Sequence, residues 1–162
     1  MVKCFAKNKT ICKSHSENNF YICTMGRIIA IDYGLKRTGI AVSDANGVIA
    51  FPLDTIRTHE TILYLKNYLA KEKVDCFVVG MPRQSNGTDS SIVLQVRTFI
   101  KELKKKIPNV EVKEEDERYT SVLAQRALID SGVKKMARRN KSLVDVTSAT
   151  ILLQGYLERK GI

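Results

Sequence analysis

Two kinds of hydrophobic pattern alternate along the chain from Gly26 onward, and their order predicts the fold. Short apolar runs bounded by turn residues predict five strands, at 27–32, 38–43, 48–56, 74–80 and 110–115. Apolar residues repeating every three or four positions predict four helices, at 59–72, 90–106, 120–130 and 142–160. The predicted order is therefore β-β-β-α-β-α-β-α-α.

The connections between these segments predict how the strands pair. Asn46-Gly47 is a strong hairpin signal between the second and third strands, and Pro52 suits a strand at the edge of a sheet. The first three strands are expected to form an antiparallel meander. The later strands follow helices and are expected to run parallel. The fold class is thus α/β, a mixed five-stranded sheet with flanking helices.

The first 24 residues differ from the rest of the chain. They are rich in Lys, Asn, Ser and Cys, show no sustained periodicity and lack the apolar core of a secretory signal. We predict a disordered N-terminal extension over residues 1–24 and one catalytic domain over residues 25–162. An upstream mis-assigned start and an organellar transit peptide both stay open as explanations of the extension.

Charge and composition narrow the classes of function. The chain has 162 residues, with 27 Lys and Arg against 17 Asp and Glu, which gives a formal net charge of +10. Such an excess attracts polyanions, nucleic acid above all, and no stretch is apolar enough to span a bilayer. The four cysteines form no Cys-x-x-Cys pair and there are two histidines, which argues against a zinc site. We interpret the cysteines as free thiols in a reducing compartment.

Carboxylates stand at three positions where chemistry is expected. Asp32 ends a buried central strand, the usual place for a ligand in an α/β sheet. Four consecutive acids, 114–117, end a later strand, and strand parity alone does not decide which of them faces a site. Asp145 shares a helical stripe with Ala149, Leu152 and Tyr156, so it needs a cation, either a Lys or Arg partner or a metal ion.

Basic residues lie beside these acids in sequence. Lys36 and Arg37 follow Asp32 in a glycine-containing turn and can meet phosphates. The segment 134–141 holds five bases in eight residues, and it is either a solvated loop or a clamp on a phosphate backbone. The loop after Val79-Gly80-Met81-Pro82, with Asn86-Gly87, is either a turn or a wall of a substrate cleft.

Separated carboxylates next to basic loops predict one site for two divalent ions. Such ions prefer oxygen ligands, and a pair of them stabilises the attacking and leaving oxygens of an in-line displacement. A general-base histidine is not required, because a metal ion lowers the pKa of its bound water. The resulting hypothesis is cleavage of a phosphodiester bond in nucleic acid.

The same motifs, taken in order, resemble the YqgF/RuvX family over roughly residues 26–160. The matching segments are Asp32-Tyr-Gly-Leu-Lys-Arg-Thr-Gly-Ile-Ala-Val-Ser-Asp44, Val79-Gly-Met-Pro82 with Asn86-Gly87, Asp116-Glu117-Arg118-Tyr119-Thr120 with Ala124, and Asp145 with Ala149 and Leu152-Leu-Gln154. The resemblance implies a ribonuclease-H-like fold and a cytoplasmic nuclease that matures the 5′ end of pre-16S ribosomal RNA. An older label for the family is Holliday-junction resolvase.

Carried over residue by residue, the resemblance implies a site of three acids that hold Mg²⁺ or Mn²⁺. Asp116 is left open as an alternative to the second of them. Tyr119, Ser121 and Ser148 depart from the usual family pattern without touching the acids. The implied catalytic and metal-binding residues are Asp32, Glu117 and Asp145. The residues expected to contact nucleic acid, from the basic segments and the resemblance together, are Lys36, Arg37, Arg118, Lys134, Lys135, Arg138 and Arg139.

Structured ribosomal RNA is the expected partner of a monomer or weak dimer, with no membrane involved. Two other functions stay open: a DNA junction resolvase using the same acids, which should dimerise, and a non-catalytic RNA-binding assembly or transcription factor. An ATPase of the sugar-kinase or actin type is disfavoured, because its site lies between two such domains and this chain has room for one.

Overall fold

The fold is built on a mixed β-sheet with helices on both sides. A computed structural model describes residues 11–13, 20–22, 26–82, 91–116, 120–132, 134 and 140–160. The strands are β1 (Ile11–Lys13), β2 (Phe20–Ile22), β3 (Arg27–Tyr33), β4 (Arg37–Ser43), β5 (Ala50–Arg57), β6 (Val74–Met81) and β7 (Glu111–Asp116). The α-helices are α1 (Thr61–Leu69), α2 (Ser91–Lys106), α3 (Thr120–Asp130) and α4 (Lys141–Lys160), and a 3₁₀ turn spans Thr58–Glu60.

The main sheet has the strand order β5-β4-β3-β6-β7. β3, β4 and β5 pair antiparallel, whereas β3, β6 and β7 pair parallel. The predicted meander followed by helix-linked parallel strands is therefore confirmed. β3 lies at the centre, so the residue at its carboxyl end is surrounded by other strands.

Apolar side chains leave the sheet on both sides and form two cores. Ile29 and Ile31 of β3 pack with Leu65 of α1 and with α2. Ile28 and Ala30 point the other way and pack against α4. This strict alternation assigns each β3 residue to either the α1–α2 side or the α4 side of the sheet.

β5 is the edge strand that Pro52 predicted. The register between β4 and β5 shifts between Ile40 and Ala41, where one extra residue of β5 is accommodated. The strand begins at Ala50 rather than at residue 48 because the backbone N–H groups of Val48 and Ile49 donate to the Asp44 carboxylate (2.7 and 2.9 Å) instead of joining the ladder. The Asn46-Gly47 turn is present, with Gly47 at φ 70°.

The helix predicted over 59–72 is shorter in the structure. Its first residues belong to the 3₁₀ turn, and α1 ends at Leu69 because the Lys71 N–H donates to the Tyr68 carbonyl in a tighter turn. α3 has the predicted bounds and is followed by Gly132 at φ 75°. The remaining predicted boundaries agree to within one residue.

Within residues 1–24, β1 and β2 pair antiparallel as a separate two-stranded sheet. The division of the chain into an extension and a catalytic domain stays a prediction. Across the described ranges, no helix combines the length and the apolar character needed to cross a bilayer.

Candidate active site

Asp32 lies near the carboxyl end of the central strand with a glycine on either side. Its neighbour in β4 is Gly39, and the β6 residue after the Ile31–Val79 pair is Gly80. Alternation along β3 directs Asp32 to the α4 side, together with Ile28 and Ala30. The residues that flank Asp32 in the sheet therefore lack side chains, and Asp32 itself is half-buried.

Asp145 reaches the same side of the sheet from the first turns of α4. Its backbone carbonyl lies directly against Gly39, where any side chain would collide with it. A hydrogen bond from Thr55 Oγ1 in β5 to the Ser142 carbonyl (2.7 Å) fixes the start of the helix. Gly39 is thus a neighbour of both acids, since it pairs with Asp32 and contacts Asp145.

Asp145 is held by an arginine. Arg37 Nε donates to Asp145 Oδ2 at 2.8 Å, with side-chain exposures of 37% and 29%. Of the two cations that the sequence left open, a basic side chain or a metal ion, the structure shows the basic side chain. An ion pair this accessible to water is worth only about 0–1 kcal/mol, so a stronger ligand can displace Arg37.

The turn that presents Lys36 and Arg37 is clamped by a threonine. The Gly34 N–H donates to the Arg37 carbonyl at 3.0 Å, which closes the turn. Thr58 Oγ1 donates to the Gly34 carbonyl at 2.7 Å, and the Thr58 N–H donates to the Lys36 carbonyl at 3.3 Å. Thr58 carried no signal in the sequence, because its role depends on β5 returning beside this turn.

The acids of β7 are divided between the two sides of the sheet. Val110 and Val112 pack on the α1–α2 side. Glu115 bonds Arg159 of α4 at 2.5 Å, so it faces the α4 side. Unbroken pairing with β6 assigns Asp116 to the α1–α2 side, away from Asp32, with its Oδ1 atom shielded from solvent. The structure thus shows on which side of the sheet Asp116 lies, which the sequence left undecided.

Several expected site residues lie outside the described residues. The structure pairs Arg37 with Asp145 and places Gly39 beside both Asp32 and Asp145. It puts Lys36 on the exposed turn and Lys134 at the surface. The loop residues Asn86 and Gly87 also lie outside the description. The expected site residues that fall there are Glu117, Arg118, Lys135, Arg138 and Arg139.

The residues present partly fit a divalent ion. Asp32 and Asp145 offer carboxylate oxygens on one side of the sheet, the donor type that Mg²⁺ and Mn²⁺ prefer. Within the described ranges, however, no group of three acidic, His or Cys side chains lies close enough to hold an ion. A complete site therefore requires a ligand beyond these two acids.

Comparison with known protein families shows which family this chain belongs to. Residues 26–159 match the model of the RuvX family, described as Holliday junction resolvase. The chain belongs to the RuvX family. The match spans every strand of the main sheet and the four α-helices among the described residues, and it ends one residue before the end of α4.

Relatives of this RuvX-family chain align with it over almost their whole length. Proteins from Bacteroides fragilis and Bacteroides thetaiotaomicron are 49% and 50% identical over 136 residues, which is 84% of this chain and 99% of each relative. Both carry the name "Putative pre-16S rRNA nuclease".

Among solved structures, the Thermus thermophilus RuvC structure in complex with a Holliday junction substrate is similar, with a TM-score of 0.50 and 17% identity over 84% of this chain and 96% of that one. This likeness supports the ribonuclease-H-like fold of the RuvX-family chain.

Proposed function

We propose that the protein is a metal-dependent endonuclease that cleaves a phosphodiester bond in structured RNA, with the 5′ end of pre-16S ribosomal RNA as its target. The observation that carries the proposal is the meeting of Asp32 and Asp145 around Gly39. These acids come from opposite ends of the domain and stand on one side of the sheet, beside the basic turn of Lys36 and Arg37. Carboxylates next to cations suit a phosphate ester and its metal ion.

The proposed catalytic and metal-binding residues are Asp32, Glu117 and Asp145. Glu117 is the proposed third ligand because of its place in the family motif, directly after the last residue of β7 in sequence. A bound Mg²⁺ or Mn²⁺ would supply a water of lowered pKa and would stabilise charge on the phosphate oxygens.

Arg37 has a second role in this proposal. Its guanidinium can form two parallel hydrogen bonds with a phosphate, which is a stronger interaction than its partly exposed contact with Asp145. Substrate binding would draw Arg37 toward the phosphate and leave the Asp145 carboxylate available. Lys36, exposed on the same turn, would bind a neighbouring phosphate.

The proposed RNA substrate rests on the names of the relatives, which align with this chain over 99% of their own length. We further propose the basic residues Arg118, Lys134, Lys135, Arg138 and Arg139 as contacts to the RNA backbone. The net charge of +10 supports this role. A cytoplasmic location and a monomer or weak dimer complete the proposal.

A cleavage assay with a matched acid variant tests the proposed function. Purified protein is incubated with a pre-16S RNA fragment, with and without Mg²⁺ or Mn²⁺, beside Asp32→Asn and Asp130→Asn. Asp130 is an exposed acid at the end of α3 and serves as the control. Cleavage is expected to require metal, to survive Asp130→Asn and to be lost in Asp32→Asn. Cleavage that responds to neither the metal nor Asp32→Asn would contradict the proposal.

Resolution of four-way DNA junctions is the second candidate, and the description of the matching family model favours it. A competition experiment separates the two substrates. Unlabelled pre-16S RNA and an unlabelled four-way junction are each added to the labelled RNA reaction. RNA is expected to compete at lower concentration than the junction, and the reverse order would favour the resolvase.

A further inference from the structure

A basic groove runs along the end of the sheet next to the proposed active site. Its volume is about 1120 Å³, and its walls come from the β3–β4 turn, the start of α1 and one side of α2. Five lining side chains are cationic against one acid, Glu102. The cations are Lys36, Arg37, Arg57, Lys66 and Lys106.

Three of these cations are available to an anionic ligand. Arg37 is engaged by Asp145, and Lys106 is paired with Glu102 in the next turn of α2. Within the part of the chain that the structure describes, Lys36, Arg57 and Lys66 have no carboxylate partner and are exposed. Exposed cations without a described carboxylate partner attract solvent anions, which a polyanion displaces on binding.

Arg57 lies next to a second arginine in the sheet. It stands directly opposite Arg37 in the β4–β5 ladder, so two guanidinium groups occupy neighbouring places on one side of the sheet. Like charges directly opposite each other destabilise a sheet. The Asp145 carboxylate compensates Arg37, and an incoming phosphate would compensate Arg57.

The groove is continuous with the proposed active site through Arg37. That residue lines the groove and also bonds Asp145, so the groove begins at the side chain that contacts one of the acids. Tyr33, next to Asp32 in sequence, lies in the groove and packs on Phe99 with ring centroids 4.8 Å apart.

We propose that this groove binds a stretch of single-stranded nucleic acid beyond the scissile phosphate, with Arg57 and Lys66 contacting its backbone. The proposal rests on the proposed function, because it takes the strand in the groove to be the same polymer that reaches the acids. It adds a binding track that runs from the basic turn and Arg57 along α1 and α2. An acidic protein surface is the competing occupant, since exposed Leu35, Leu63 and Leu94 also line the groove. Continuity with the acids favours nucleic acid.

Binding rather than cleavage tests this inference, so that its failure can be told from failure of the proposed function. The full chain carrying Asp32→Asn is titrated into fluorescein-labelled single-stranded RNA of about 20 and about 4 nucleotides, and anisotropy gives Kd at several salt concentrations. The test variant adds Arg57→Ala and Lys66→Ala. The control variant adds Lys71→Ala and Lys104→Ala, which remove the same charge from exposed positions that do not line the groove.

The groove variant is expected to bind the longer RNA about tenfold more weakly and the shorter RNA nearly as before. For the groove variant, the slope of log affinity against log salt concentration should be less steep by about 1.4, because each of the two lost phosphate contacts with a single strand contributes about 0.7. The control variant should stay within about twofold of its parent. Equal losses in both double variants would overturn the inference, because binding would then follow net charge alone. Unchanged RNA affinity of the groove variant would also overturn the inference, and it would favour an acidic protein surface as the occupant of the groove.

Discussion

The backbone carbonyl of Asp145 lies so close to Gly39 that a Cβ atom at position 39 would overlap it. This contact lets α4 rest directly on β4 and brings the Asp145 carboxylate beside the strand that carries Asp32. The distance between the two acids is therefore controlled by a residue that has no side chain. Gly39 is the packing point on which the proposed site depends.

Gly39→Ala is expected to destabilise the protein by about 2 kcal/mol or more, because backbone, and not a flexible side-chain end, occupies the space of the new methyl group. Chemical denaturation monitored by circular dichroism measures the change. Gly155→Ala is the matched control, since a Cβ there would meet only the Arg159 guanidinium at 3.5 Å. In a helix this control should be neutral or stabilising by up to about 1 kcal/mol. Equal stability of the two variants would contradict the packing argument.

Replacement of Arg37 tests whether the ion pair restrains Asp145. Arg37→Gln removes the cation that competes for the carboxylate, so Mn²⁺ is expected to bind the RNA-free protein about two- to fivefold more tightly. Titration followed by electron paramagnetic resonance of free Mn²⁺ measures this affinity. Arg57→Gln, on the neighbouring strand without the Asp145 contact, should leave the affinity unchanged. Weaker Mn²⁺ binding in Arg37→Gln would show that Arg37 positions the acid rather than competing for it.

Asp44 makes stability depend on pH through the β4–β5 turn. Burial alone would raise the pKa of Asp44, but backbone N–H groups of Ile49, Val48 and Asn46 donate to its carboxylate and lower the pKa below the ordinary value of 3.8. A lowered folded-state pKa stabilises the protein above the unfolded-state pKa, and this contribution is lost as pH falls through the folded-state value.

Asp44→Ala is accordingly expected to cost about 1 kcal/mol at neutral pH and progressively less below about pH 4. Urea denaturation at neutral and acid pH gives the free energy of unfolding for wild type, Asp44→Ala and the exposed control Asp130→Ala. A difference between wild type and Asp44→Ala that persists undiminished at the lowest pH would contradict the role of the ionised carboxylate.

Local patterns in the sequence were enough to predict the strands and helices of the sheet. They were not enough to predict contacts between residues far apart in sequence. The apolar runs of β3 and β6 and the repeat of α2 predicted their elements to within one or two residues, because each pattern lies within one segment. The stripe with Ala149, Leu152 and Tyr156 predicted that Asp145 faces the sheet. The Arg37 partner of that acid was not predictable, because the pair joins residues from opposite ends of the domain.

The basic groove escaped prediction for a similar reason. Lys36 and Arg37 were predicted to meet phosphates, but Arg57, Lys66 and Lys106 come from a strand end and two helices and are indistinguishable in sequence from ordinary surface charges. The sides of the β7 acids were undecided because a sheet covered by helices on both sides has no apolar-to-polar alternation from which to assign faces. Only the contacts of Val112 and Glu115 with opposite layers distinguish the two sides.

The choice between Asp116 and Glu117 as a catalytic acid follows from that division of β7. Asp116 belongs to the α1–α2 side, whereas Asp32 and Asp145 stand on the α4 side. Asp116→Asn is therefore expected to keep RNA cleavage within about threefold of wild type, and Glu117→Gln to lose at least about a hundredfold, as a metal ligand would. Single-turnover cleavage and Mn²⁺ titration measure the two effects, with thermal unfolding to verify that both variants fold. Loss of Mn²⁺ binding in Asp116→Asn, with normal binding in Glu117→Gln, would reassign the third ligand to Asp116 and would require β7 to turn its end toward α4.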